Sequence, residues 1–320
     1  MITLKELSEK LLRESRVALF CHVRPDGDAI GSACALKLAL ISKGVKADVF
    51  SSDAVPQKFL FLEETKNVLT TSPAGFSEYS ALIAIDNAEL TRLGDFAADF
   101  SAHKNTYSID HHISNTRYAK VNYVREKASN AENVFALIKE MNAEITPAIA
   151  DFLATGIMTD TGGFRHKNVT PQTFADAGEL VSFGADMNTI YFNAFVRQTS
   201  KRAKLFGIVM SHLRYFHDNR CAIASVHFAD FEKTGALQEE TEGFIDFVMS
   251  IDGVEIGACV METEPNKFKI SLRSKNADVN AVAGIFGGGG HKLASGCKIN
   301  GEYEEVVDKL SVAIGKYLDD

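Results

Sequence analysis

Within seven residues, His22-Val-Arg-Pro-Asp26-Gly-Asp28, the chain places one imidazole and two carboxylates. Asp86, the run Asp110-His111-His112, and Asp160 follow at wide intervals, and none of these positions carries a thiolate. Imidazole mixed with several carboxylates suits borderline-hard divalent cations, Mn²⁺ foremost, with Mg²⁺, Co²⁺ or Zn²⁺ competing for the same donors. The set exceeds what one catalytic ion with an open position can use. It suits two ions, which lie about 3.5–4 Å apart when they share a carboxylate. Such a pair activates a water for attack on phosphorus and offsets the charge that develops on the phosphoryl oxygens.

These residues must be brought together by the elements that carry them. Residues 16–22 (RVALFCH) form a short apolar run that ends in the turn-forming RPDGD, and residues 29–42 then show helical spacing up to Gly44. Further strand candidates lie at 45–51, 81–86 and 105–110, and helical patterns at 130–141 and 147–158. Strands alternating with helices predict a doubly wound, mainly parallel sheet, in which ligands bind beyond the carboxyl ends of the strands. The polar residues stand there: RPDGD after the first strand, Asp86 closing the third and Asp110 the fourth, with Asp160 at a helix exit. Taken singly, Asp26 or Asp28 is the residue type that caps a helix, and Asp86 or Asp160 one that closes a turn. Their joint recurrence at element ends favours a common site.

Beyond Gly184-Ala185-Asp186, residues 201–212 read as a helical connector. They are followed by β-like runs at 221–228, 255–262 and 267–273, the glycine run Gly287–Gly290, and a last helix near 303–317. The fold class expected is therefore α/β: an N-terminal catalytic domain over 1–188, a connector over 189–214, and a smaller α/β domain over 215–320, with the active-site cleft between them. The 320 residues carry a formal charge of −8, which argues against tight binding of long nucleic acid through a basic surface. A small anionic substrate remains compatible, because bound cations supply positive charge locally. The first twenty residues show an amphipathic helix pattern rather than a basic segment followed by an apolar run, and no stretch approaches a membrane span, so the expectation is a cytoplasmic protein. Cys21, Cys34, Cys221, Cys259 and Cys297 are scattered, odd in number and without a CxxC, as befits packing residues.

The segments HVRPDGDAIGS at 22–32, Ile85-Asp86-Asn87, Asp110-His111-His112 and GIMTDTGG at 156–163 resemble, in order and spacing, the four motifs of the DHH phosphoesterase superfamily. GGGGHKLASG at 287–296 is similar to the signature of the DHH-associated C-terminal domain, so the resemblance covers essentially the whole chain. It implies that one metal is held by His22, Asp26 and Asp86 and a second by Asp28, Asp86, His111 and Asp160, with Asp86 bridging. It further implies that His112 contacts the scissile phosphate or protonates the leaving oxygen, a role suited to imidazole. Asp110 then either orients one of the histidines or structures the backbone. In relatives of this architecture the second domain grips the far part of the substrate, which makes Arg273, Ser274, Gly289, Gly290 and His291 the substrate-binding candidates. The glycines at 287–290 are expected to offer consecutive N–H groups to an anion.

Among the activities of the family, length and acidity exclude the multidomain single-strand exonucleases, and the C-terminal signature differs from that of the pyrophosphatases. What the resemblance implies is the stand-alone nano-RNase and pAp phosphatase group. Its activities are removal of mononucleotides from very short RNAs and release of the 3′-phosphate of 3′-phosphoadenosine 5′-phosphate (pAp). A phosphodiesterase for linear or cyclic dinucleotides (pApA, c-di-AMP) is the alternative enzyme, and a non-catalytic nucleotide-binding regulator the alternative of another class. Partners expected are nucleotides and very short RNA, with no long nucleic acid and no membrane, and a homodimer is left open.

Overall fold

RVALF at Arg16–Phe20 (β1) and ALIAI at Ala81–Ile85 (β3) are apolar at nearly every position, the composition of strands covered on both faces. The computed structural model, which describes residues 2–72 and 74–318, makes them the centre of a five-stranded sheet. Lys46–Phe50 (β2), Thr106–Asp110 (β4) and Val121–Val124 (β5) complete it in the order β2-β1-β3-β4-β5, every pair parallel. Side-chain alternation divides two cores. Val17, Leu19, Ile83 and Ile85 point to one face, and Ala18, Phe20, Leu82 and Ala84 to the other.

On the first face pack the helices α1 (Leu4–Leu11), α2 (Gly27–Ser42), α4 (Asn130–Glu140) and α5 (Pro147–Asp160); the opposite face is closed by α3 (Ala97–Ala102) with Phe50, Phe76, Tyr79, Phe96 and Phe100. The α2 helix is buried along most of its length, and it approaches α5 so closely that a Cβ on Gly31 would stand 2.3 Å from the Phe152 carbonyl oxygen. Pro171–Ser182 (α6) and Met187–Tyr191 (α7) follow. The β5 strand was not among the expected strands: it is short, and residues 111–120 reach it without a helix. In a sheet of order 2-1-3-4-5 the connections leave β1 and β3 in opposite directions, and the crevice opens between their carboxyl ends.

The chain divides at Arg197 and Gln198 into two compact units. In the second, a mixed six-stranded sheet runs β10-β11-β9-β8-β7-β6. Its strands are Arg214–Phe216 (β6), Cys221–Val226 (β7), Ile256–Glu264 (β8), Lys267–Ser274 (β9), Gly289–His291 (β10) and Ala294–Asn300 (β11). Only β7 and β8 pair in parallel. Ser200–Ser211 (α8), Phe228–Thr234 (α9) and Phe244–Met249 (α10) accompany one face of it, Val279–Ile285 (α11) and Tyr303–Gly315 (α12) the other. The segment expected to serve as a connector therefore divides differently: residues 189–197 belong to the first unit, and Leu205 and Val209 of α8 are buried in the core of the second. All five cysteines are buried and free, and among the described residues no helix is long and apolar enough to cross a membrane.

Candidate metal centre

The β1 and β3 strands deliver His22 and Asp86 to the two sides of the crevice, and β4 delivers Asp110 with the two histidines after it. His22, Asp26 and Asp86 converge as one ligand-capable group, and Asp28, His111 and Asp160 as a second; within each, one donor atom per residue lies within 4.8 Å of the others. Asp86 is common to both sides. Its Oδ2 lies 3.7 Å from His22 Nε2, and its Oδ1 lies 3.3 Å from His111 Nε2. To aim both oxygens this way, the Asp86 backbone adopts φ +53, a left-handed conformation that costs a non-glycine residue energy and gathers at functional sites.

Each remaining donor is held by its surroundings. Asp26 caps α2, its Oδ1 accepting from the Asp28 and Ala29 amides at 3.1 and 3.0 Å, while Oδ2 stays 3.5 Å from His22 Nε2. Capping and metal ligation are thus compatible in one side chain. His22 directs Nδ1 at the Val23 carbonyl (2.8 Å) and His111 directs Nδ1 at the Lys127 carbonyl (3.0 Å), which leaves both Nε2 atoms for the site. Asp160 closes α5 with Oδ2 3.3 Å from His111 Nε2.

Asp28 is fully buried at the N-terminus of α4, where the amides of Asn130 and Ala131 donate to its two oxygens at 2.5 and 2.8 Å and the Ser32 hydroxyl adds a third bond. The sequence Ser129-Asn-Ala-Glu132 has the form of a capping box, yet Ser129 makes no side-chain cap bond. A carboxylate a hundred residues upstream caps α4 instead, which local pattern cannot reveal. Room for it comes from Gly156: a Cβ there would stand 2.6 Å from Asp28 Oδ1 and 2.6 Å from Ala131 Cβ.

Asp110 falls in a further ligand-capable group with Asp86, His111 and His112, but its carboxylate is already engaged by the protein. Its Oδ1 accepts from the His111 and His112 amides and lies 2.7 Å from His112 Nδ1, while Oδ2 accepts from Asn115 Nδ2 at 2.6 Å. It both shapes the backbone and orients His112, the two roles the sequence left open.

The charges are strongly coupled. Burial works against charging His22 and His111, but Asp26 and Asp86 around the first and Asp86 and Asp28 around the second hold both up at about 10. Burial likewise opposes ionising Asp86, and its two imidazole neighbours outweigh that and keep it below the usual carboxylate range. Asp28 is pushed well above that range by burial and then by Asp86 and Asp160. Burial and the charges of Asp86 and Asp26 lift Asp160 to about 7. The Asp110 hydrogen bond raises His112, against burial.

The fit to a metal is tested by the polar atoms left over. Asp86 Oδ1 and His111 Nε2 are both buried without a hydrogen-bond partner, a costly state for two facing donor atoms unless a cation joins them. The donors are nitrogen and oxygen only, as divalent Mn²⁺ or its competitors require.

In the second unit, the substrate candidates lie together at the β9–β10–β11 edge. Ala294 pairs with both Arg273 and His291, so these two share a neighbouring residue, and Gly289 to His291 are exposed. Ser274 is buried and donates to the Ala277 carbonyl. The glycine run departs from expectation. The amides of Gly287, Gly288 and Gly290 donate to Gly284 O, Ala283 O and Asn280 Oδ1, so they do not form an open anion cradle. Glycine is needed there for close approach: a Cβ on Gly288 would stand 2.2 Å from Gly296 O, and one on Gly290 2.6 Å from Ala294 O.

Comparison with known proteins agrees with this geometry. Residues 16–157 match the DHH family N-terminal domain and residues 218–320 the DHHA1 domain. The bifunctional oligoribonuclease and PAP phosphatase NrnA of Thermus thermophilus is 31% identical over 308 residues, covering 93% of this chain and 90% of that protein. The protein of the same name from Bacillus subtilis is 27% identical over 298 residues, covering 92% of each. In structure, an exopolyphosphatase-related protein from Bacteroides fragilis superposes with a TM-score of 0.82 at 28% identity, covering 98% of this chain and 96% of that one.

Proposed function

This chain belongs to the DHH family of phosphoester hydrolases, and on that premise we propose that it cleaves very short oligoribonucleotides to mononucleotides and removes the 3′-phosphate of pAp. The observation that carries the reading is Asp86, whose two buried oxygens face His22 on one side and His111 on the other, with Oδ1 lacking any hydrogen bond. His22, Asp26 and Asp86 would hold one divalent ion, and Asp28, Asp86, His111 and Asp160 a second, Mn²⁺ being the best match to the donors. Ions held there supply Lewis acidity, activating a water and offsetting charge on the phosphoryl oxygens.

The protein's own residues do the rest. With Nδ1 tied to Asp110, His112 has Nε2 left for substrate, and the same hydrogen bond raises its pKa above that of a free imidazole. In this reading it contacts the phosphoryl group or donates a proton to the leaving oxygen. Arg273 and His291 supply cationic or hydrogen-bonding groups for a second phosphate or the base, and Ser274, Gly289 and Gly290 shape the surface between them. The choice of small substrates rests on the two NrnA relatives, matched along about nine-tenths of their length, and on the net charge of −8, which disfavours long nucleic acid.

The test supplies Mn²⁺, then chelator, and follows phosphate release from pAp beside cleavage of a short RNA, pApA and c-di-AMP. Turnover of pAp or short RNA that chelation abolishes is the expected result. Preference for c-di-AMP would replace the substrate assignment, and no turnover of any substrate with metal supplied would refute the enzyme reading in favour of a nucleotide-binding regulator.

A further inference from the structure

The site as described has five aspartates and three histidines, yet its substrate is an anion. Among the described residues, Arg92 alone of the lysines and arginines places a side-chain nitrogen in hydrogen-bond range of one of these eight side chains: its Nη2 lies 3.1 Å from His22 Nδ1. That contact does not satisfy the guanidinium. A carbonyl oxygen can only accept, so the 2.8 Å approach of His22 Nδ1 to Val23 O uses the proton on Nδ1, and no lone pair remains there for Arg92. Among the described residues the Arg92 guanidinium has no hydrogen-bond acceptor and no carboxylate partner. A rigid fork of five donors, partly open to solvent and free of protein acceptors, is therefore held one imidazole away from the Asp26 and Asp86 carboxylates.

The backbone around Arg92 is fixed rather than loose. The Val23 amide donates to the Arg92 carbonyl at 2.7 Å, tying the turn to the loop that carries His22. Ser52 fastens the same turn twice, donating to Leu93 O and accepting from the Asp95 amide, both at 3.1 Å. Gly94 completes the turn at φ +60, where a Cβ would strike Ser52 Oγ.

We propose that Arg92 is a catalytic residue that binds the scissile phosphoryl group, its N–H fork donating to non-bridging oxygens on the His22 side of the site. The inference rests on the phosphoester-hydrolase reading. It makes the guanidinium the protein's own cation for charge developing on phosphorus.

The test uses full-length Arg92→Gln and Arg92→Lys with the best substrate found for the wild type, measuring kcat, KM, Mn²⁺ affinity by calorimetry, and rescue by added guanidinium. For Arg92→Gln the expected loss in kcat is about a hundredfold to a thousandfold. Mn²⁺ affinity should stay within threefold of wild type, and guanidinium should restore part of the rate. Arg92→Lys, which keeps charge but loses the fork, should fall between the two. A Mn²⁺ affinity that drops tenfold or more in step with activity would show that Arg92 supports His22 instead. Unchanged kcat in Arg92→Gln would equally overturn the proposal. An inactive wild type would refute the phosphoester reading itself, a result that the variants cannot mimic.

Discussion

Loading the metal centre should expel protons, and the number follows from the geometry. In the metal-free protein the carboxylates hold His22 and His111 at about 10. At pH 8 each imidazole lies two units below that value, so each is about 99% protonated. A cation needs the neutral Nε2, so full loading at pH 8 should release at least two protons per chain. At pH 6 the count should be higher, because Asp160, at about 7, is then mostly protonated. Apparent Mn²⁺ affinity should therefore climb steeply between pH 6 and pH 9. Calorimetric titration in buffers of different ionisation enthalpy counts the protons directly. Release of less than half a proton at pH 8 would mean that the imidazoles are neutral before metal arrives, and the charge argument would fail. The sign for stability also follows. The histidine contribution, a raised pKa, is complete below about 6.5 and disappears as pH rises through about 10, so the metal-free protein should lose thermal stability over that window.

Asp86→Asn keeps the shape of the side chain but removes charge from both ligand groups; metal-stimulated turnover should fall at least a hundredfold with Mn²⁺ affinity weakened, and near-normal rates would refute its bridging position. Gly156→Ala gains about 1 kcal/mol of helix propensity but crowds Asp28 Oδ1 and Ala131 Cβ, each at 2.6 Å, at a cost of about 1–3 kcal/mol. Urea unfolding should show net destabilisation, and a more stable variant would show that α2, α4 and α5 can part freely. In Asp110→Asn the pKa of His112 should drop, so the alkaline limb of the kcat–pH profile moves to lower pH and the rate falls about 10²-fold or more. A limb that stays in place would remove His112 as the acid.

The convergence of the metal-capable residues was legible because they stand at strand ends, where hydropathy changes abruptly. RVALFCH turning into RPDGD, or ALIAI closing on Asp86, marks both the strand and the donor. The supporting contacts were not legible, because they pair residues far apart in the chain. The caps that Asn130 and Ala131 supply to Asp28, and the Arg92 turn against Val23, join segments with no shared pattern. Strands β5, β6, β10 and β11 escaped for another reason. The first two are only four and three residues long, and the hairpin of the last two begins in glycines, whose sequence reads as a loop. The same glycines suggested an anion cradle from type alone, while the structure gives the amides of Gly287, Gly288 and Gly290 to two backbone carbonyls and the Asn280 side chain.

The distribution of hydrogen bonds explains how five aspartates can share one edge of a sheet. Asp26 fixes one oxygen on the start of α2, Asp28 fixes both on the start of α4, and Asp110 fixes one on the amides that follow β4. Helix N-termini and turn amides are where negative charge is best tolerated, so three of the five have backbone donors before any ion arrives, although burial and the neighbouring carboxylates still push Asp28 above the usual carboxylate range. Asp86 has no such anchor for its carboxylate: Oδ1 is unpartnered, the backbone is left-handed, and only the two imidazoles offset its charge. Its charge is favoured by those imidazoles rather than by backbone donors, in a conformation its backbone resists. Substitutions at Asp26 or Asp28 should therefore disturb folding along with metal binding, and Asp86→Asn, which removes a carboxylate that holds both His22 and His111 protonated, should weaken metal binding and lower the stability of the metal-free protein.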